Sequence, residues 1–210
     1  MNIGYACINM TLGSQKPKIT TNRGMIRKTF DSKGLPYVSE LVLQNIRDLI
    51  EVIKWNYNNG INFYRMSSDM FPWMSEYDFS DLPDYGKIKT LLTGVGSLAK
   101  RYNQRLTFHP GPFNVLASPN DDVVRKTIVE LNKHSQIMDL MGLSVTPYNK
   151  INIHVGGVYG GVCAKGVACL PAPFGISRNA LGIRTRVHTY THIARTGDSG
   201  GGTGGGFARQ

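Results

Sequence analysis

The feature that most constrains this chain is one design used twice. Leu106-Thr-Phe-His-Pro-Gly-Pro-Phe113 is a short run of β-formers that ends in a histidine and is then broken by proline and glycine. Ile151-Asn-Ile-His-Val-Gly-Gly157 repeats it: an apolar strand, a terminal histidine, then glycines. If the two strands are parallel neighbours, His109 and His154 converge at the carboxyl ends of the strands, the face on which a β/α barrel builds its site. Two convergent imidazoles suit a metal ion. The competing reading is two capped strands with unrelated histidines.

The rest of the amino-terminal region fits such strands. Ile3 to Cys7 reads as a strand, followed by a loop. Ser39 reads as an N-cap with Glu40 in the first turn, and Val42, Ile46, Leu49, Ile50 and Ile53 recur at helical spacing until Asn58-Asn59-Gly60. Ile61 to Met66 is a second strand, and an aromatic loop with Phe71, Trp73, Tyr77 and Phe79 follows. Ile88, Leu91, Leu92, Val95 and Leu98 mark a second helix, although Gly94 and Gly96 weaken it. Ser118-Pro119 with Asp121 and Asp122 starts a third helix, whose buried stripe is Val124, Ile128, Leu131 and Ile137, closed by Gly142. His134 lies within that helix and reads as structural. Strict alternation of strand and helix means βαβ units and a parallel sheet. Four strands and three helices occupy about 160 residues, where a complete eight-fold barrel takes about 250, so the expectation is the amino-terminal half of a TIM-type barrel.

Charge narrows the partner. The chain of 210 residues carries a net charge of +10, which points to a polyanion, nucleic acid first. Lys16, Lys18, Arg23, Arg27 and Lys28 fall in one stretch with no acid before Asp31, and read as a flexible loop placed to contact phosphates. No run of 18 apolar residues predicts a membrane span, and the amino terminus lacks the pattern of a signal peptide. Cys7, Cys163 and Cys169 form no CxxC pair and favour a reducing cytoplasm.

The composition shifts after Gly160. Residues 161–210 hold 11 glycines and six Lys or Arg against one acid, Asp198, and show no convincing helical or strand periodicity. This segment reads as a basic, glycine-rich tail, disordered or of aberrant reading frame. Gly197-Asp-Ser-Gly-Gly-Gly202 resembles the serine motif of trypsin-like proteases, but it follows an alternating helix–strand region unlike an antiparallel protease barrel.

Residues 1–160 resemble the ultraviolet-damage endonucleases, the UvdE family of DNA-repair enzymes. The resemblance is carried by Gly4-Tyr5, Asn9-Met-Thr-Leu-Gly13, Phe63-Tyr-Arg-Met-Ser-Ser-Asp-Met-Phe-Pro-Trp73, Leu106-Thr-Phe-His-Pro-Gly111, Met141-Gly-Leu143 and Ile153-His-Val-Gly-Gly-Val-Tyr-Gly160. It implies a TIM barrel with a metal cluster, usually Mn2+ with Mg2+ as the alternative, in a groove that binds UV-damaged duplex DNA. It implies nicking immediately 5′ of a pyrimidine dimer or related lesion, the start of alternative excision repair. His109 and His154 fall on family metal-ligand positions, and Glu76 stands near where some members carry a further metal histidine. Tyr5 and Asn9 match residues that line the lesion pocket. Pro112 and Phe113 stand where some members wedge Gln-Tyr into the duplex, and Phe113 keeps the aromatic plane. The family's further carboxylates, and with them the catalytic residues, have no match in residues 161–210. The protein is expected to be a monomer without a membrane partner.

Two other readings remain open on sequence: another metal-dependent barrel enzyme, such as an apurinic-site endonuclease or a sugar isomerase, and an inactive half-barrel fragment with residual DNA binding. A small neutral sugar needs no cationic loop, which counts against the isomerase.

Overall fold

A computed structural model describes residues 3–111, 113–116, 118–154 and 187–190 of the chain; for Ile153, His154 and 187–190 it describes the backbone alone. Five parallel strands lie side by side in sequence order: β1 (Gly4–Ala6), β2 (Phe63–Ser67), β3 (Arg105–His109), β4 (Ile151–His154) and β5 (Val187–Tyr190). A short helix α1 (Met10–Gly13) and a long α2 (Arg27–Asn58) connect β1 to β2, α3 (Tyr85–Arg101) leads to β3, and α4 (Asp121–Leu140) leads to β4. The sheet is singly wound, each crossover adding a strand on the same edge, which is the order of a barrel wall and not of a doubly wound sheet.

Alternation along the strands divides the sheet into two faces. Tyr64 and Met66 of β2, Leu106 and Phe108 of β3 and Ile151 of β4 are all fully buried and form the floor on which the helices pack. The helices contribute Val42, Ile46, Leu49 and Ile53 from α2, Ile88, Leu92 and Val95 from α3, and Leu131, Ile137 and Met138 from α4. Most of the apolar stripes expected from sequence form this core; Ile50, Leu91 and Leu98 are partly buried against it, Val124 is buried outside it, and Ile128 is half-buried.

Four expectations are corrected. Ser39 is not an N-cap: it is buried inside α2, and its hydroxyl donates to Asp84 Oδ2 at 3.1 Å. The helix begins further back, at Arg27; inside it Gly34, at φ 61° and ψ −158°, breaks the helical backbone, and Pro36 restarts it with a φ already suited to a first turn. At α4 the cap is Asn120, whose side chain accepts from Asp122 N–H at 2.9 Å, and Ser118 supports it from outside, accepting from Asn120 N–H at 3.2 Å. The aromatic loop after β2 is not irregular but holds three 3-10 turns, Ser68–Met70, Met74–Glu76 and Phe79–Asp81. Finally, Val187–Tyr190 pairs in register with β4, Asn152 opposite His188 and His154 opposite Tyr190. Val187, Thr189 and Tyr190 are β-formers, and β-branched residues alternate at 183, 185, 187, 189, 191 and 193, so a strand signal lies beneath the segment's overall glycine-rich composition. The remainder of the basic tail, with Cys163, Cys169 and His192, lies outside the described residues. Among the described residues no helix is long and apolar enough to cross a membrane.

The glycine that weakens α3 in sequence is what lets it dock. A Cβ on Gly96 would lie 1.7 Å from the Met141 carbonyl oxygen, so only glycine allows this approach to the end of α4. Gly96→Ala should lower the unfolding free energy by about 3 kcal/mol or more, because backbone must move. Gly94, where an added Cβ would meet nothing within 4 Å, is the control: Gly94→Ala should stabilise by about 0.5–1 kcal/mol. Urea denaturation of the two variants checks both signs; equal effects would overturn the close-approach argument.

Candidate active-site face at the carboxyl ends of the strands

The sheet face opposite the helices is polar. Arg65 and Thr107 are paired in register, as are Ser67 and His109, and paired residues of parallel strands share a face. With its amide oxygen turned toward Arg65, Asn152 accepts from Nη2 at 3.1 Å and Nε at 3.2 Å. Thr107 is fully buried, and its hydroxyl has no hydrogen-bond partner among the described residues. A charged residue between the buried Tyr64 and Met66 was the available sequence signal for this second face, because alternation sends Arg65 to the other side.

His109 closes β3 and is half-buried at the mouth. Its Nδ1 lies 3.8 Å from the Cys7 thiol, which follows β1 with φ 60°, a left-handed conformation that turns the chain away from the sheet. Burial pushes the Cys7 thiol upward, partly offset by the Arg65 charge, so it stays neutral at neutral pH. His154 is the last residue of β4. The β3–β4 register, Phe108 opposite Ile151, sets His154 two positions beyond the level of His109 along the strands. Glu76 is exposed, and its carboxylate faces Arg27 Nη1 at 3.5 Å. Among the described residues, no three His, Cys, Asp or Glu side chains are grouped so as to hold a metal ion.

The remaining candidates separate into structural and presented groups. Tyr5 shares the helix-facing side of the sheet with its register partner Tyr64, ring centroids 5.1 Å apart. Its hydroxyl donates to Asn56 Oδ1 and accepts from Asn9 Nδ2, each at 2.7 Å. Asn9 is buried and caps α1 by accepting from Leu12 N–H at 2.9 Å. Both side chains are thus engaged in holding β1 to α2. Phe113 is the reverse case, 88% exposed; Pro112 lies outside the described residues.

The basic segment is not a flexible loop. Asp48, buried on α2, accepts from Thr20 N–H at 2.7 Å and from Arg23 Nη1 at 2.5 Å. Asn45 accepts from Arg23 N–H and donates to Arg23 O, each at 3.0 Å. Arg23 therefore ties the segment to the helix. Arg27 pairs with Asp31 at 2.8 Å and lies 5.5 Å from both the Phe30 and Trp73 rings. Lys16, Lys18 and Lys28 are exposed and belong to none of the described ion pairs. Sequence charge alone could not separate these roles, because Asp48 and Glu76, which face Arg23 and Arg27, are remote in the chain.

The family model of the UV-endonuclease UvdE matches residues 1–169. The chain belongs to the UvdE family. The UV-damage endonuclease of Schizosaccharomyces pombe is 39% identical over 162 residues, which cover 76% of this chain and 26% of that protein. The UV DNA damage endonuclease of Clostridium perfringens is 32% identical over 160 residues, 76% of this chain and 36% of that protein. The crystal structure of SacUVDE superposes with a TM-score of 0.72 at 25% identity, covering 90% of this chain and 60% of that one. The UvdE chain thus spans half or less of the length of the curated relatives it matches.

His134 is structural, as its place in a helix implies. It is fully buried, Nδ1 donates to the Glu130 carbonyl at 2.8 Å, and the ring meets Phe108 edge-on at 4.7 Å. Burial lowers its pKa to about 4. The neutral imidazole is the folded form, so the unfolded chain takes up its proton first as pH falls. The stability this group contributes is complete above about pH 6.5 and is lost, by about 3 kcal/mol in all, as pH falls toward 4. Urea midpoints between pH 4 and 7 should rise with pH in the parent and rise less in His134→Leu. Parallel profiles would remove His134 as the source.

Proposed function

We propose that this chain is the amino-terminal part of a TIM-type barrel of a DNA-repair endonuclease that nicks duplex DNA immediately 5′ of UV photoproducts, by metal-dependent phosphodiester hydrolysis, in alternative excision repair. Its UvdE family membership supports the substrate class, and the relatives named above are UV-damage endonucleases. The observation that carries the reading is the placement of His109 at the end of β3, half-buried at the mouth, with the exposed Phe113 four residues beyond it.

The donor set fits a borderline or hard divalent ion, Mn2+ or Mg2+, in part. His109 and His154 are the ligands we assign, each the last residue of one of two neighbouring parallel strands. Glu76 could join them only by leaving Arg27. A divalent ion at such a site polarises the phosphodiester and activates water, and multi-metal versions require several anionic ligands. Among the described residues those ligands are not gathered. One second reading is binding of damaged duplex without cleavage by this chain. An irradiated-plasmid nicking assay beside a binding assay separates the two.

Two outcomes test the proposal. In a protein that nicks, His109→Ala should remove metal-dependent nicking and lower bound Mn2+ measured by isothermal titration; parent-like rate and metal content would overturn the ligand assignment. Second, Lys16, Lys18 and Lys28 are the cations we assign to phosphate. Replacing all three by alanine should flatten the slope of log affinity against log salt by up to about 2.7, at about 0.9 per phosphate contact. Arg23→Ala should instead lower thermal stability through loss of the Asp48 pair. A slope unmoved by the triple variant would make these lysines a merely solvated surface.

A further inference from the structure

The turn after β3 is tied down at both ends. Asn114 N–H donates to Gly111 O at 3.1 Å, closing the turn, and Asn114 Nδ2 donates to the same carbonyl at 3.2 Å. That Nδ2 also donates to Glu130 Oε1 at 2.7 Å, reaching across to α4. Asn114 is 5% exposed, and Glu130 is half-buried. The helix that offers Glu130 is itself anchored one turn later, by Lys133 Nζ donating to Asp78 Oδ1 at 2.5 Å and by the buried His134. Between the tied positions stands Phe113, its side chain in solvent.

Folding alone does not account for this combination. A turn that needed only closure has it from the backbone bond, and a carboxylate brought out of water for one amide is a net burden unless its position matters. Burial indeed pushes the Glu130 carboxyl upward, against the Asn114 hydrogen bond. An aromatic ring left in water gains nothing for the core either. What a buried Asn–Glu tie does supply is a fixed direction for the residue before it. A ring already held in its binding geometry loses less freedom on stacking, which is how preorganisation strengthens recognition.

We propose that the Asn114–Glu130 pair is a clamp that holds Phe113 outward as a rigid stacking residue, making Glu130 a positioning residue for lesion recognition that never touches DNA. The inference rests on the reading of this chain as a binder of UV-damaged duplex with Phe113 against a base. It assigns a role to two residues that neither the strand-end histidines nor the basic segment explains. The clamp acts through the direction of one hydrogen bond, so it can be broken and remade by exchanging donor and acceptor.

The test measures binding of the full chain, by fluorescence anisotropy, to a duplex with one cyclobutane pyrimidine dimer and to the same duplex intact. The affinity ratio is the readout. Phe113→Ala should lower it by roughly 5- to 150-fold, the range for loss of one aromatic–base stack. Asn114→Asp turns a carboxylate on the Glu130 carboxylate and should lower the ratio by about fivefold or more, with affinity for intact duplex little changed. Glu130→Gln keeps an acceptor oxygen and should keep the ratio. The double variant Asn114→Asp with Glu130→Gln restores the bond to residue 130 with donor and acceptor exchanged, while the backbone N–H of residue 114 still closes the turn on Gly111 O, and it should recover most of the ratio. If Asn114→Asp does not fold, Glu130→Leu, which removes only the acceptor, takes its place. A ratio unmoved by Phe113→Ala overturns the stacking reading and the clamp with it. A ratio that falls with Phe113→Ala but not with the clamp variants, or is not recovered in the double variant, overturns the clamp alone.

Discussion

A buried carboxylate on α2 organises the amino-terminal third of this protein. Asp48 is withdrawn from water on the inner side of the helix, where an uncompensated charge is strongly unfavourable. It is compensated by Thr20 N–H, by Arg23 and by Gln44 Nε2 at 2.8 Å. Thr20 and Arg23 reach it only if residues 18–23 fold back across the helix. Asn45 and Asn56, also buried on α2, extend the same logic to Met70 and to Tyr5. Removing any one partner would leave a polar group dry, so the connection between β1 and α2 has one arrangement and not many.

That arrangement sets the two faces of the sheet apart. With β1 held to α2 through Tyr5 and Asn56, the rings of Tyr5, Tyr64 and Phe108 stay with the helices, and Arg65, Thr107, His109 and Asn152 are left to the opposite face. The same register that packs the core therefore gathers the polar groups at the mouth. A one-residue slip of β3 would exchange Phe108 for His109 and lose both at once. His134 shows that not every imidazole belongs to this mouth: it packs beneath β3 and is neutral because its surroundings exclude water.

The surface around the mouth follows from the same pairing of charges. Cations that find a carboxylate nearby, Arg23 and Arg27, become part of the architecture. Lys16, Lys18 and Lys28 lie outside the described ion pairs and keep their charge at the surface. Phe113 adds an apolar ring in solvent. On the proposed reading, the lysines would meet backbone phosphate and the ring would meet a base.

The amino-acid sequence by itself determined the alternation of strand and helix, the parallel sheet, the apolar stripes and the strand-end position of His109, because each is written in local periodicity and in proline–glycine breaks. It carried the family too, in short motifs from Gly4 to Gly160. Helix starts were less legible: Ser39 and Ser118 are good cap residues, but Pro36 and Asn120 fixed where the helices begin. β5 stayed hidden because the segment's overall glycine-rich composition was read in place of the alternation of β-branched residues from Ile183 to Ile193. What only the tertiary structure decided was which side chains are engaged. Asp48 lies 25 residues from Arg23 and Glu130 lies 16 from Asn114, so no window along the chain could show that the first cation is a tie or that the second pair grips the turn beneath Phe113. Pairing across such separations depends on where packing brings the chain back, and that is a property of the folded whole.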